Sequence, residues 1–206
     1  MISKTFYSGK IGILGGTLDP IHNGHLIMAE YAKKQLNLDK VIFMPTGNPP
    51  HKNINNITDS KIRSSMVKIA IENIDYLEYS DFEIQRQGII YTSDTLELFI
   101  KENPEAEIYF IMGADSLLAI ETWHEPAKLF RLCKVIVGDR DNSNDLVFRQ
   151  ILYLKNKYNA SIFYLNMPLV DISSTYIKEC IRNKKSIQHM VPKKVEEYIL
   201  KNKLYK

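Results

Sequence analysis

The chain has 206 residues, enough for one domain with a sizeable buried core. Apolar residues make up 45% and charged residues 25%, an ordinary globular composition, and a net charge of +3 is too small to argue for a nucleic-acid partner. Cys133 and Cys180 lack the spacing of a disulfide framework or a zinc site, the start Met1-Ile2-Ser3-Lys4-Thr5 lacks the apolar stretch of a signal peptide, and no apolar run reaches membrane-spanning length. Buried thiols, a cytoplasmic location and no membrane partner are the expectation.

In chain order, Ile11–Leu14 reads as a buried strand, followed by a helix from about Gly24 to Leu36 with Asn23 as its cap. Val41–Met44 is a second strand, leading into a loop from Pro45 to Ile57. A helix follows with Ile62, Met66, Ile69 and Ala70 on one face and Thr58 or Asp59 as cap. Glu78–Ile84 alternates and predicts a strand. Thr95–Lys101 predicts a short helix that ends before Pro104. Ile108–Met112, Cys133–Val137 and Ser161–Leu165 read as further strands. From about Ser173 the chain is helical, and Lys193 to Lys206 forms an amphipathic helix with Val195, Ile199 and Tyr198 facing inward. Strands alternating with helices predict an α/β fold, a Rossmann-like, doubly wound parallel sheet with a C-terminal helical part about 173–206, all in one domain spanning 1–206. Such sheets bind ligands at the carboxyl ends of their strands.

The junction after the first strand carries the clearest chemistry. Gly15 and Gly16 allow close approach of the backbone to a ligand, Thr17 follows them, and His22 and His25 stand around the first turn of the next helix. Helix N-termini attract anions, and an imidazole donates to a phosphate oxygen even when neutral. Neither GxGxxG nor GxxxxGK[ST] is present, so an anion site of another kind is implied. A second anion site is suggested where Ser173-Ser174-Thr175 opens a helix, with Ser173 as cap and two more hydroxyls beside free N–H groups. Lys52, in a loop stiffened by Pro49 and Pro50, offers a movable positive charge.

The segment GGTLDPIHNGHL resembles the (H/T)xGH signature of the nucleotidyltransferase superfamily. Pro49-Pro50-His51-Lys52, Tyr91-Thr92-Ser93-Asp94-Thr95-Leu96, Gly113-Ala114-Asp115-Ser116-Leu117 with Trp123, and Ile172-Ser173-Ser174-Thr175 narrow the likeness to the bacterial nicotinate-nucleotide adenylyltransferases. The ending, Val191-Pro192 to Leu204-Tyr205, is similar as well, so the resemblance spans nearly the whole chain. It implies transfer of AMP from ATP to nicotinate mononucleotide, giving deamido-NAD and pyrophosphate in NAD biosynthesis.

By this resemblance His22, His25 and Lys52 are catalytic. Gly15, Gly16, Thr17 and Ser173–Thr175 bind ATP, and Thr92, Asp115 and Trp123 bind the pyridine nucleotide. The family's Ile-Arg is Ile177-Lys178 here, so Lys178, helped by Arg182 one turn later, is expected to reach the triphosphate. The mononucleotide's phosphate, with a second pKa of about 6, is its own nucleophile and needs no general base. Mg²⁺ is expected to arrive with ATP, since no cage of acidic ligands is visible. A related transferase using nicotinamide mononucleotide or another phosphate, and a non-catalytic nucleotide sensor, are the alternatives. A homo-oligomer is left open.

Overall fold

In a computed structural model that describes residues 6–48, 57–139 and 144–206, the run Ile11–Leu14 lies at the centre of strand β1 (Gly9–Gly16). Its neighbours are β2 (Lys40–Pro45) and β4 (Ala106–Gly113), both parallel to it. With β3 (Leu77–Tyr79), β5 (Lys134–Gly138) and β6 (Ile162–Tyr164) they make a six-stranded parallel sheet in the order β3-β2-β1-β4-β5-β6. The strand order reverses between β1 and β4, which opens a crevice at their carboxyl ends. The α/β, doubly wound fold expected from the alternation is the one observed.

Helices cover both faces. On one, α1 (Asn23–Leu36), α2 (Ser60–Ile71), α7 (Ser174–Arg182) and α8 (Lys193–Lys201) bury Met28, Val67, Ile177, Val195 and Ile199 in one apolar cluster with Leu14, Val41 and Ile136. On the other, α3 (Thr92–Glu102), α4 (Ala114–Leu118), α5 (Pro126–Leu132) and α6 (Asn144–Tyr158) close a cluster with Ile13, Ile42, Phe110 and Val135. The C-terminal helices thus pack on the sheet through the same cluster as α1. Val195 and Ile199 are buried as expected, and Tyr198 is partly so. Both cysteines are buried, and burial pushes the Cys133 thiol up to about 12.

Several elements differ from their sequence readings. The predicted strand Glu78–Ile84 stops at Tyr79. After the last ladder bond, from Ser80 N–H to the Phe43 carbonyl, the chain turns through bonds from Gln85 to Asp81 and from Arg86 to Glu83. The alternation there does not mark a buried face: Phe82 and Ile84 are half-buried and the buried side chain is Glu83. The helices Pro126–Leu132 and Asn144–Tyr158 had no counterpart in the reading. In α2 the buried face is Arg63, Met66, Val67 and Ala70, while Ile62 and Ile69 are only half-buried, so an arginine lies where the apolar stripe was expected. Asp59, one of its two candidate caps, does accept from the Lys61 N–H. Asn23 is not the cap of α1: His22 is, in extended backbone. Asn23 is drawn away by the C-terminal part, its Nδ2 donating to the His189 carbonyl and its N–H to that of Met190.

Candidate active site

The crevice at the β1/β4 switch point is a cleft of about 580 Å³. It gathers Gly15, Gly16, Thr17, His22, His25, Thr92, Asp115, Trp123, Ser173, Ser174 and Thr175 along its walls. Eleven of the fourteen expected site residues, from both ends of the chain, therefore meet in one space.

The end expected to take phosphate is built from the β1–α1 loop. Gly16 has φ +143°, which a side chain would strain. Gly24 lies under the His22 ring, and a Cβ there would come 3.0 Å from Nδ1. The two imidazoles stack with centroids 3.7 Å apart. His22 is buried, and its backbone N–H donates to His25 Nδ1 at 3.2 Å. Since Nδ1 accepts, a neutral His25 carries its proton on Nε2, the tautomer that can donate to a ligand oxygen.

The start of α7 faces the same loop. Ser173 caps the helix by accepting from the Tyr176 N–H, as expected. Ser174 Oγ donates to the Pro20 carbonyl at 2.9 Å, so its proton ties α7 to the histidine loop, and Thr175 lines the cleft beside it. Lys178 and Arg182 do not line the cleft. The Lys178 ammonium pairs with Asp19 Oδ2 at 2.5 Å and lies over the Tyr205 ring. Arg182 is exposed at the last position of α7, about 12 Å along the axis from its start. Lys52 falls outside the described residues.

Asp19 anchors the back of this end. Its carboxylate accepts from Lys178, from Tyr205 Oη at 2.6 Å and from the Thr58 N–H at 3.1 Å. Burial alone would raise its pKa, but these donors outweigh burial and hold it below the ordinary aspartate value.

The other end is walled by side chains from separate elements. Trp123 follows a short 3₁₀ turn, Ile120–Thr122, and meets the Phe110 ring edge-to-face at 6.3 Å. Tyr91 stacks on His124 at 4.1 Å. Glu83 is buried in the wall. Burial raises its pKa, and the opposing pull of the neighbouring Thr95 hydroxyl, Arg86 charge and Gly47 N–H does not offset it. Tyr91, His124 and Glu83 were missed by sequence reading. Tyr91 and His124 adjoin the named Thr92 and Trp123, which was the available signal; Glu83 was hidden in the supposed strand.

Asp94, His124 and Glu125 come close enough to suggest a metal. The Lys128 ammonium lies 2.9 Å from Asp94, 2.9 Å from Glu97 and 3.5 Å from Glu125, so a cation already stands among these carboxylates. A partly exposed cluster that holds a lysine and offers an imidazole does not fit the all-oxygen shell of Mg²⁺.

A six-stranded parallel sheet in this order, with a histidine-bearing first loop at the switch point, defines a nucleotidyltransferase, and the chain belongs to the cytidylyltransferase-like family, whose pattern matches residues 13–180. A Clostridium botulinum (strain Eklund 17B) protein named "Probable nicotinate-nucleotide adenylyltransferase" is 46% identical over 198 residues, 96% of this chain and 98% of that one. A protein of the same name from Caldicellulosiruptor saccharolyticus is 43% identical over 197 residues, covering 96% and 99%. Within the class, the chain is thus a member of the nicotinate-nucleotide adenylyltransferase family. The solved Plasmodium falciparum nicotinic acid mononucleotide adenylyltransferase complexed with NaAD shares the fold, with a TM-score of 0.79 at 20% identity over 96% of this chain and 97% of that one. Among the described residues no helix is long and apolar enough to cross a membrane.

Proposed function

We propose that the protein transfers the adenylyl group of ATP to nicotinate mononucleotide, releasing pyrophosphate and forming deamido-NAD. The observation that carries this reading is the single cleft with two unlike ends. One end offers stacked imidazoles and a helix N-terminus suited to phosphates; the other offers aromatic faces suited to a pyridine ring. The names of the near-full-length relatives supply the substrates.

In this mechanism a phosphate oxygen of the mononucleotide attacks the α-phosphorus. The new P–O bond forms as the α–β bridging bond breaks, and the electron pair leaves with pyrophosphate. No proton must be removed from the nucleophile at neutral pH. The residues contribute position and charge stabilisation. His25 Nε2–H donates to the α-phosphate and His22 holds the His25 ring. The N–H groups of Ser174 and Thr175, which have no acceptor within their own helix, receive further phosphate oxygens. Lys52 is assigned to charge stabilisation, and Mg²⁺ enters as part of the ATP substrate. A triphosphate contact from Lys178 requires that it first leave Asp19. Thr92 and Trp123 hold the pyridine, with Asp115 on the same wall. The cytoplasm, where ATP is abundant, is the proposed setting.

The test is pyrophosphate release with ATP and either mononucleotide. Turnover with the acid form should exceed that with the amide form by at least tenfold, because backbone N–H donors favour a carboxylate over an NH₂ group. Equal turnover would remove the acid-specific reading, and no turnover with either would remove the adenylyl-transfer reading.

A further inference from the structure

Among the described residues Arg63 is the largest of the fully buried side chains, with 1% of its surface exposed. It lies on the inner face of α2, among Met66, Val67 and Ala70, and does not line the cleft. A guanidinium in an apolar layer is costly unless its donors are satisfied. Here three backbone carbonyls satisfy it. Nη1 donates to Thr17 at 2.7 Å, Nη2 to Thr46 at 2.8 Å and Nε to Thr58 at 2.9 Å.

These three carbonyls belong to different parts of the site. Thr17 follows the glycine pair and opens the loop that ends in His22. Thr46 follows β2 and lines the cleft; its N–H donates to the Gly16 carbonyl at 2.9 Å. Thr58 donates its own N–H to Asp19, three residues before His22. Arg63 therefore grips the first residue of the histidine loop directly, and the third, Asp19, through Thr58. Burial pulls the guanidinium's proton affinity down, while the Asp19 charge foremost supports it. A planar fork with fixed N–H directions sets three carbonyls in one plane; an ammonium is a point charge and cannot.

We propose that Arg63 is a positioning residue of the active site: its guanidinium holds the carbonyls of Thr17, Thr46 and Thr58 in one plane and so fixes where the following loop presents the two histidines. This rests on the adenylyl-transfer reading above for its kinetic consequence. It does not rest on it for its structural one. A misplacement of about 1 Å at a reacting group costs up to roughly a hundredfold in rate.

The test compares Arg63→Lys with Val67→Ala. Val67 is buried one turn further along the same helix and its apolar side chain can make no hydrogen bond to these carbonyls, so its truncation lowers stability while leaving the Arg63 bonds in place. Kinetics are measured per folded molecule, well below either melting temperature. Arg63→Lys should lower kcat by about ten- to a hundredfold with each KM within about threefold of wild type, while Val67→Ala keeps kcat and loses only melting temperature. A kcat for Arg63→Lys no lower than that of Val67→Ala would overturn the proposal. If the wild-type protein shows no adenylyl transfer, the function fails separately, and the ring NMR signals of His22 and His25 decide instead: movement in Arg63→Lys but not in Val67→Ala supports positioning, and unmoved signals overturn it. Should Arg63→Lys not fold, the wild type is read by exchange of its arginine side-chain protons. Those of Arg63 should exchange far more slowly than those of exposed Arg131, and equal rates would overturn the proposal.

Discussion

Two buried carboxyl groups, one behind the histidine loop and one in the cleft wall, are displaced in opposite directions. Asp19, behind the proposed phosphate end, is held low, and Glu83, in the wall, is pushed up. Both lose water. Asp19 gains an ammonium, a phenol and a backbone N–H in contact, whereas the pulls on Glu83 from Thr95, Arg86 and the Gly47 N–H are too weak to offset burial. The difference shows that burial does not set the charge of a site wall; the donors supplied with it do. It also divides the cleft by construction. The phosphate end is backbone, imidazole and helix terminus, braced from behind by polar groups. The pyridine end is a set of aromatic and apolar faces contributed by β4, α3 and the turn before α5.

The largest effect should come from the phosphate end. His25→Ala should lower kcat by about a hundredfold or more, the scale of one lost transition-state donor, with a normal folded spectrum. Steady-state turnover near wild type would mean that the two ends do not differ in catalytic weight. At the pyridine end the loss should fall on binding. Trp123→Ala should raise KM for nicotinate mononucleotide by about tenfold, near 1.4 kcal/mol, with kcat within about threefold. A fall in kcat alone would contradict this division of labour.

Lys178→Ala sharpens what braces the phosphate end. Losing one charged hydrogen bond to Asp19 should destabilise the protein by about 1.5–3 kcal/mol, seen as a lower melting temperature, because Tyr205 and Thr58 remain on the carboxylate. KM for ATP should stay within about threefold. A rise of tenfold or more would instead assign Lys178 to the triphosphate.

The smallest effects distinguish the two carboxyls by sign. Asp19 has a depressed folded pKa, so its stabilisation is full above the ordinary aspartate range and is lost as pH falls through that range and below. Asp19→Asn should flatten the fall in melting temperature between about pH 5 and 3. Glu83 has a raised folded pKa, so its ionisation opposes folding, and stability returns as pH falls through the raised value. Glu83→Gln should therefore cost least at neutral pH and lose its relative advantage in acid. The same pH slope in both variants would erase the contrast.

The sequence by itself determined the sheet and the histidine junction, because these are short-range facts. Apolar strands alternate with amphipathic helices, two glycines precede two histidines three apart, and Ser173 and the pair Thr58-Asp59 precede their helices as candidate caps. Even there, the cap of α1 moved from Asn23 to His22, since Asn23 is taken by His189 and Met190 more than 160 residues away. Only the tertiary structure decided the rest. Lys178, expected at the triphosphate, pairs with Asp19, Tyr205 reaches the same carboxylate across 186 residues, and Arg63 takes a place that periodicity gave to apolar side chains. Those outcomes depend on which buried donors and acceptors meet, and local pattern carries the period of an element but not the partner across the core.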